Sequence, residues 1–148
     1  MSFESSGVVL NPGEGKRSSV LADSYTFKAS SADAGGAYSL TEITTVADGP
    51  PPHIHKTEEE AFYALEGEVN VQIGEDEVRA TPGSFVIIPR GVVHTFSKAG
   101  TAPAKLLVII SPAGFERFFQ EIDGVSDIDA IMSAAQRHNL EIIGPPPS

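Results

Sequence analysis

Residues 49–67 read GPPPHIHKTEEEAFYALEG. His53 and His55 lie two apart, which is wrong for one face of a helix and right for one face of a strand, where side chains alternate. Both imidazoles therefore point into the same space. The three prolines before His53 forbid a helix and keep the approach extended. Two co-directed imidazoles followed closely by three carboxylates, Glu58, Glu59 and Glu60, form a pattern suited to holding a metal ion. Residues 55 and 60 are of opposite parity. A turn or bulge within residues 56–59 must intervene if Glu60 is to meet the histidines. Beyond that point Glu60, Phe62 and Ala64 share one face of a strand, and Ala61, Tyr63 and Leu65 the other.

Residues 83–94, GSFVIIPRGVVH, carry the third histidine, His94. They read as a strand over 85–88, a turn at Pro89-Arg90-Gly91, and a new strand. Proline presets its own backbone angle, and glycine supplies one that other residues avoid.

Together the two stretches resemble the two signature motifs of the cupin superfamily. The first motif is glycine, five residues, His-x-His, three or four residues, glutamate, six residues, glycine. His53, His55, Glu60 and Gly67 match it, whereas Gly49 stands three residues before His53 in place of five. The second is glycine, five residues, Pro-x-Gly, two residues, histidine, three residues, asparagine. Gly83, Pro89, Gly91 and His94 match, with Lys98 in the asparagine position. The short gap between the motifs is like that of small single-domain cupins. The stretches SPAGFERFF (111–119) and HNLEIIGPP (138–146) resemble, more faintly, the tail of quercetinase-like members.

The resemblance implies an all-β jelly-roll barrel with one metal inside its open end. His53, His55, Glu60 and His94 would be the ligands, and Glu60 would also serve as the catalytic proton acceptor. Three imidazoles and one carboxylate suit a catalytic transition-metal site with open positions better than a closed structural zinc site. The donor set admits one divalent ion per chain, Fe, Mn, Ni, Co, Cu or Zn, without choosing among them.

The rest of the chain reads as a single domain of 148 residues. Residues 1–35 form an N-terminal arm with strands near 8–10, 18–21 and 25–29. Residues 36–111 form the barrel, with strands over 38–46, 60–65, 69–73, 77–81, 85–88, 93–97 and 104–110. The 38–46 strand offers two plausible inner faces, and Glu42 on it is either a proton-transfer group or a solvent-facing residue. The near-continuous apolar run 104–110 predicts burial on both faces. Residues 112–148 form a helical C-terminal segment, giving two short helices beyond the barrel. One starts at Ser111-Pro112, with Phe115, Phe118 and Phe119 as its docking face. The other starts near Ser126 or Asp127, with Ile128, Ile131, Met132 and Ala135 on one side. Gly144 and the prolines after it read as an extended end. His138, without partners in the pattern, reads as structural.

Apolar residues make up 41% and charged residues 20%, ordinary for a globular protein. A net charge of −10 disfavours nucleic acid or an anionic membrane as partner. There is no cysteine, hence no disulfide frame and no thiolate chemistry, and the crosslinked-cysteine variant of the thiol dioxygenases is excluded. No segment resembles a signal peptide or membrane span, so a cytoplasmic protein is expected. Lys56, Arg90 and Lys98 are the nearby cations, too few to suggest a phosphorylated substrate. Among activities in the family, these features favour a dioxygenase acting on a small aromatic, flavonol-like or polyketide-like molecule. A non-oxidative isomerase or cyclase and a binding module without turnover are the alternatives. A homodimer is expected, with the N-terminal arm as a swap element.

Overall fold

The computed structural model describes residues 7–144. The stretches 1–6 and 145–148, including the prolines read above as an extended end, lie outside the described residues. The elements are β1 (Lys16–Val20), β2 (Asp23–Ala29), β3 (Ser39–Thr45), β4 (His53–His55), β5 (Glu59–Glu66), β6 (Val69–Ile73), β7 (Asp76–Ala80), β8 (Phe85–Ile88), β9 (His94–Lys98), β10 (Ala104–Ser111), α1 (Glu116–Glu121), α2 (Ile128–Arg137) and β11 (Leu140–Ile142). They form two antiparallel sheets, one ordered β1-β2-β3-β10-β5-β8 and the other β11-β4-β9-β6-β7. This is a jelly-roll barrel. Strands adjacent in sequence are often split between sheets, so their inner faces meet in one core.

Alternation decides what that core contains. On β3 the inner residues are Ser39, Thr41, Ile43 and Thr45, which settles the face left open by the sequence. Glu42 is on the outer face, with its carboxylate 3.6 Å from Lys105. β5 turns Glu60, Phe62 and Ala64 inward, as its spacing predicts. β10 was expected to be buried on both faces and is not. Ala104, Leu106, Val108 and Ile110 face the core, while Lys105, Leu107 and Ile109 are only half-buried on the outside. Each fully buried aliphatic or aromatic side chain contributes roughly 1.5–3 kcal/mol, so one inner face suffices to anchor the strand.

Two glycines are fixed by close approach. Gly67 (φ 69°) turns β5 into β6, and a Cβ there would lie 2.7 Å from the Pro103 carbonyl oxygen. Gly49 (φ 79°) lies against the backbone of Phe96, and a Cβ would overlap the Phe96 carbonyl oxygen. Gly49 thus needs to be glycine although its spacing departs from the family motif.

Three expectations fail at the ends of the chain. Residues 8–10 form no strand. Ser111-Pro112 does not start a helix: Ser111 ends β10, its hydroxyl donates to the Ala37 carbonyl at 2.8 Å, and the bond to Pro112 is cis. α1 begins only at Glu116, whose buried carboxylate accepts from the Ser31 and Gly114 amides, each at 2.7 Å. α2 starts where predicted, with Asp127 accepting from the Asp129 amide at 3.1 Å. Its buried face is Ile131, Ala134 and Ala135, whereas Ile128 and Met132 are exposed. After α2 the chain forms β11, a strand absent from the sequence reading. It lies along β4 with Leu140 opposite His55 and Ile142 opposite His53.

Candidate metal centre

β4 holds both histidines of the first motif on its inner side, His53 8% and His55 3% exposed, with Ile54 facing the other way. β9 begins with His94, directly opposite His53 in register. Glu60 belongs to β5 and therefore to the other sheet. This resolves the parity conflict. The chain bends at Lys56 and Thr57 and crosses from one sheet to the other, so Glu60 approaches the imidazoles from across the barrel. The break is where the sequence required one, but it is a change of sheet rather than a bulge within a strand.

The four side chains converge, with one donor atom from each lying within 4.8 Å of all the others. Glu60 Oε1 is 3.3 Å from His55 Nε2, and Glu60 Oε2 is 3.3 Å from His94 Nε2. Behind them, His53 Nδ1 donates to the Pro51 carbonyl at 2.8 Å and His94 Nδ1 to the Val92 carbonyl at 3.0 Å. A carbonyl can only accept, so these bonds place the proton on Nδ1 and leave Nε2 turned into the site. His55 Nδ1 faces Glu58 Oε1 at 3.4 Å.

Electrostatics follows from this crowding. Burial, then the neighbouring His94 and His55, lowers His53 to about 3, so it stays neutral. Burial also opposes charge on His55, but Glu60 and Glu58 outweigh it and raise His55 to about 9. Burial alone would raise Glu60. The imidazoles of His55 and His94 reverse this and hold its carboxyl well below the usual range. An ionised carboxylate facing Nε2 lone pairs requires positive charge between them, supplied by a proton or a cation. Buried Nε2 donors with their Nδ1 atoms already engaged, plus an ionised carboxylate, are the donor set a divalent transition metal takes. The site is compatible with one such ion.

A cavity of about 70 Å³ adjoins this cluster. Its walls come from both sheets and from the C-terminal segment: Phe62 and Phe96 from the barrel, Phe115, Phe118 and Phe119 from α1 and its lead-in. Phe115 meets His55 edge-on at 4.4 Å between ring centres. The phenylalanine stripe thus does more than dock a helix, because it also walls the cavity beside His55. Among the described residues lining the cavity, the polar side chains are Tyr25, His53, His55 and Glu60, and none is lysine or arginine. Arg90 pairs with Glu59 at 3.6 Å, Lys98 reaches the Thr101 carbonyl at 3.4 Å, and Lys56 is exposed. His138 caps α2 and lies 3.0 Å from Glu121, a structural role as expected.

Sequence reasoning missed Tyr25, Glu58 and β11. Tyr25 lines the cavity from β2 and packs edge-on against Phe119 at 4.6 Å. Burial, with Asp23 and Glu60 nearby, raises its hydroxyl, so it remains a proton donor.

Comparison with known proteins agrees with the fold. The cupin domain family matches residues 40–110. An uncharacterized protein of Streptomyces coelicolor is 30% identical over 77 residues, which cover 52% of this chain and 68% of that protein. The chain belongs to the cupin superfamily. Quercetin 2,3-dioxygenase of Bacillus subtilis is 27% identical over 119 residues, 77% of this chain. The chain spans about a third of that enzyme's length, the match covering 34% of it. The polyketide cyclase RemF from Streptomyces resistomycificus shares the fold, with a TM-score of 0.63, 22% identity, and coverage of 70% of this chain and 78% of that one.

Proposed function

We propose that this protein is a mononuclear metal-dependent dioxygenase that incorporates dioxygen into a small aromatic enol of the flavonol or polyketide class. The observation that carries this reading is the contrast within one cavity. The ionisable cluster of His53, His55, Glu60 and His94 opens, through its first three members, onto walls that are otherwise apolar, apart from the Tyr25 hydroxyl. Such a space accepts a flat, uncharged molecule with few oxygens and rejects a phosphorylated one. The similarity to quercetin 2,3-dioxygenase supports the same class.

The three histidines and Glu60 would hold the ion. When bound, it makes an enol or phenol proton easier to lose near neutral pH. Glu60, kept ionised by the imidazoles beside it, takes that proton on a carboxylate oxygen. Phe62, Phe96 and Phe115 wall the space the rings would enter and exclude water from the reacting carbon. The enclosed space is below the ~300 Å³ lower end for small-molecule pockets. The reading therefore requires α1, with Phe115, Phe118 and Phe119, to move outward on binding.

The test is oxygen uptake. Purified protein, loaded in turn with Fe(II), Mn(II), Ni(II) and Co(II), is mixed with flavonols with and without air. Stoichiometric oxygen consumption with substrate loss supports the dioxygenase. Turnover that continues without oxygen removes it and favours a non-oxidative cyclase or isomerase, the reading consistent with the fold shared with RemF. Tight binding with no turnover under any loading leaves a binding module.

A further inference from the structure

Glu58 is one of three consecutive glutamates, of which the motif resemblance picks Glu60 as the ligand, and the structure sets Glu58 apart from both neighbours. Glu59 is exposed, and its carboxylate pairs with Arg90 outside the barrel. Glu60 crosses to the other sheet and enters the cluster. Glu58 is buried, 9% exposed, and stays on the far side of His55. Its Oε1 faces His55 Nδ1 at 3.4 Å, and its Oε2 accepts from the Thr57 hydroxyl at 2.8 Å.

The three histidines are therefore not held alike. His53 and His94 are oriented by backbone carbonyls two residues earlier, just before their strands begin, which no side-chain substitution removes. His55 alone leans on a side chain, and that side chain is in turn held by Thr57. A metal-binding histidine whose second nitrogen is engaged is fixed in ring orientation and tautomer, and losing that partner typically lowers metal affinity about 10–100-fold. We infer that Glu58 is a positioning residue for the metal centre, aiming His55 Nε2 through a Thr57–Glu58–His55 chain without touching the ion itself. The inference rests on the metal-centre reading, not on the dioxygenase chemistry.

The experiment is titration of apo protein with Co(II), followed by calorimetry and by the visible d–d spectrum, with neither oxygen nor substrate present. Glu58→Ala should weaken cobalt binding about 10–100-fold and shift the d–d bands, because one imidazole is no longer held. Glu58→Gln keeps an oxygen that accepts from Nδ1 and should restore most of the affinity and the parent spectrum. Thr57→Ala, which removes only the outer hydroxyl, should show the same shift with a smaller loss, and it decides the matter if Glu58→Ala does not fold. Unchanged affinity and spectrum in Glu58→Ala, or in Thr57→Ala where it alone folds, overturn the inference. So does a Glu58→Gln protein as impaired as Glu58→Ala, which would make Glu58 a charge partner or a fifth ligand. Parent protein that binds no cobalt removes the metal centre and this inference together. A protein that binds cobalt as expected but never consumes oxygen removes only the dioxygenase.

Discussion

The two sheets contribute to the same site from very different footings. Glu60 sits on β5, eight residues long, paired along its length with β10 on one side and with β8 on the other. β10 is in turn paired with β3 over seven positions. The histidines of the first motif sit on β4, three residues long, paired with β9 at the single position His53–His94. What holds β4 on its other side is β11, paired at three positions and extended by Lys56 N–H to the Asn139 carbonyl (3.2 Å) and Ile143 N–H to the Pro52 carbonyl (2.8 Å). The Gly91 amide adds a bond to the His55 carbonyl at 3.0 Å. The carboxylate is thus built into the rigid half of the barrel. The two imidazoles of β4 depend on β11, a strand of the C-terminal segment.

The strongest way to break this comparison is to remove a donor from each half. His53→Ala and Glu60→Gln should each abolish tight metal binding, a loss above the roughly 100-fold ceiling typical of supporting residues. Metal content after dialysis against a weak chelator checks both. If Glu60→Gln keeps its metal while His53→Ala loses it, the thick sheet contributes no ligand and the two halves are not joined through an ion.

Next in size is a change that touches only the brace. Glu141 is exposed and stands opposite Ile54. The bonds at Asn139 and Ile143, two residues to either side, place it in the bonded register of an antiparallel ladder. Glu141→Pro removes that amide donor and leaves no cavity, whereas Glu141→Ala keeps it. The proline variant should bind metal on the order of 10-fold more weakly, comparable to losing a supporting partner, and the alanine variant normally. Equal affinity in the two would mean that β4 does not need β11.

That brace also marks the limit of what the sequence discloses. The convergence of the three histidines and a glutamate was legible because each spacing has a geometric meaning, although the choice of Glu60 among the three glutamates came from the resemblance to the cupin motif. His-x-His shares a strand face, Pro-x-Gly makes a turn, and the odd separation from His55 to Glu60 demands a break. The Asp127 cap was legible for the same local reason. Leu140 to Ile142 carries no such mark, since three residues become a strand only through a partner 85 or more positions away. Glu58 has the same chemistry as Glu59 and Glu60, and their roles are separated by the change of sheet after Glu58 and by the alternation of Glu59 and Glu60 along β5. The outer face of β10 looked buried because Leu107 and Ile109 are apolar. Burial depends on what covers a face, and the two helices pack against β1 and β11 instead.

A smaller effect should sharpen the contrast from the rigid side. Tyr25 is a cavity residue on β2, within the six-stranded sheet, and its hydroxyl has no hydrogen-bond partner among the described residues. Tyr25→Phe should leave metal affinity and thermal stability unchanged. It should weaken anaerobic binding of a flavonol roughly fivefold, the equivalent of about 1 kcal/mol for one hydrogen bond. Calorimetric titration with quercetin under argon measures it. Unaltered binding would mean that the hydroxyl does not meet the ligand.

The smallest effect concerns stability alone. Asp23, at the start of β2, is buried and accepts from the Val46 amide at 3.0 Å, tying the β1–β2 turn to the end of β3. Burial raises its carboxyl above the ordinary value, more than the Val46 bond lowers it. A carboxyl with a raised folded pKa destabilises the fold once the unfolded chain ionises, and the penalty is complete when the folded group has ionised too. The penalty is absent at pH below the unfolded value of 3.8 and grows as pH rises from there through the folded one. Asp23→Asn keeps an oxygen for the Val46 amide and removes the charge. It should raise the melting temperature at pH 7 by an amount on the order of 1–2 °C, with the gain vanishing near pH 3.5. Metal affinity should not change, because this region of the thick sheet carries no ligand. A melting temperature that falls at pH 7 would show the charged hydrogen bond to be worth more than its desolvation costs. A change in metal affinity would show instead that the two sheets are mechanically coupled at the site, and that the six-stranded half is less independent of the histidines than its pairing implies.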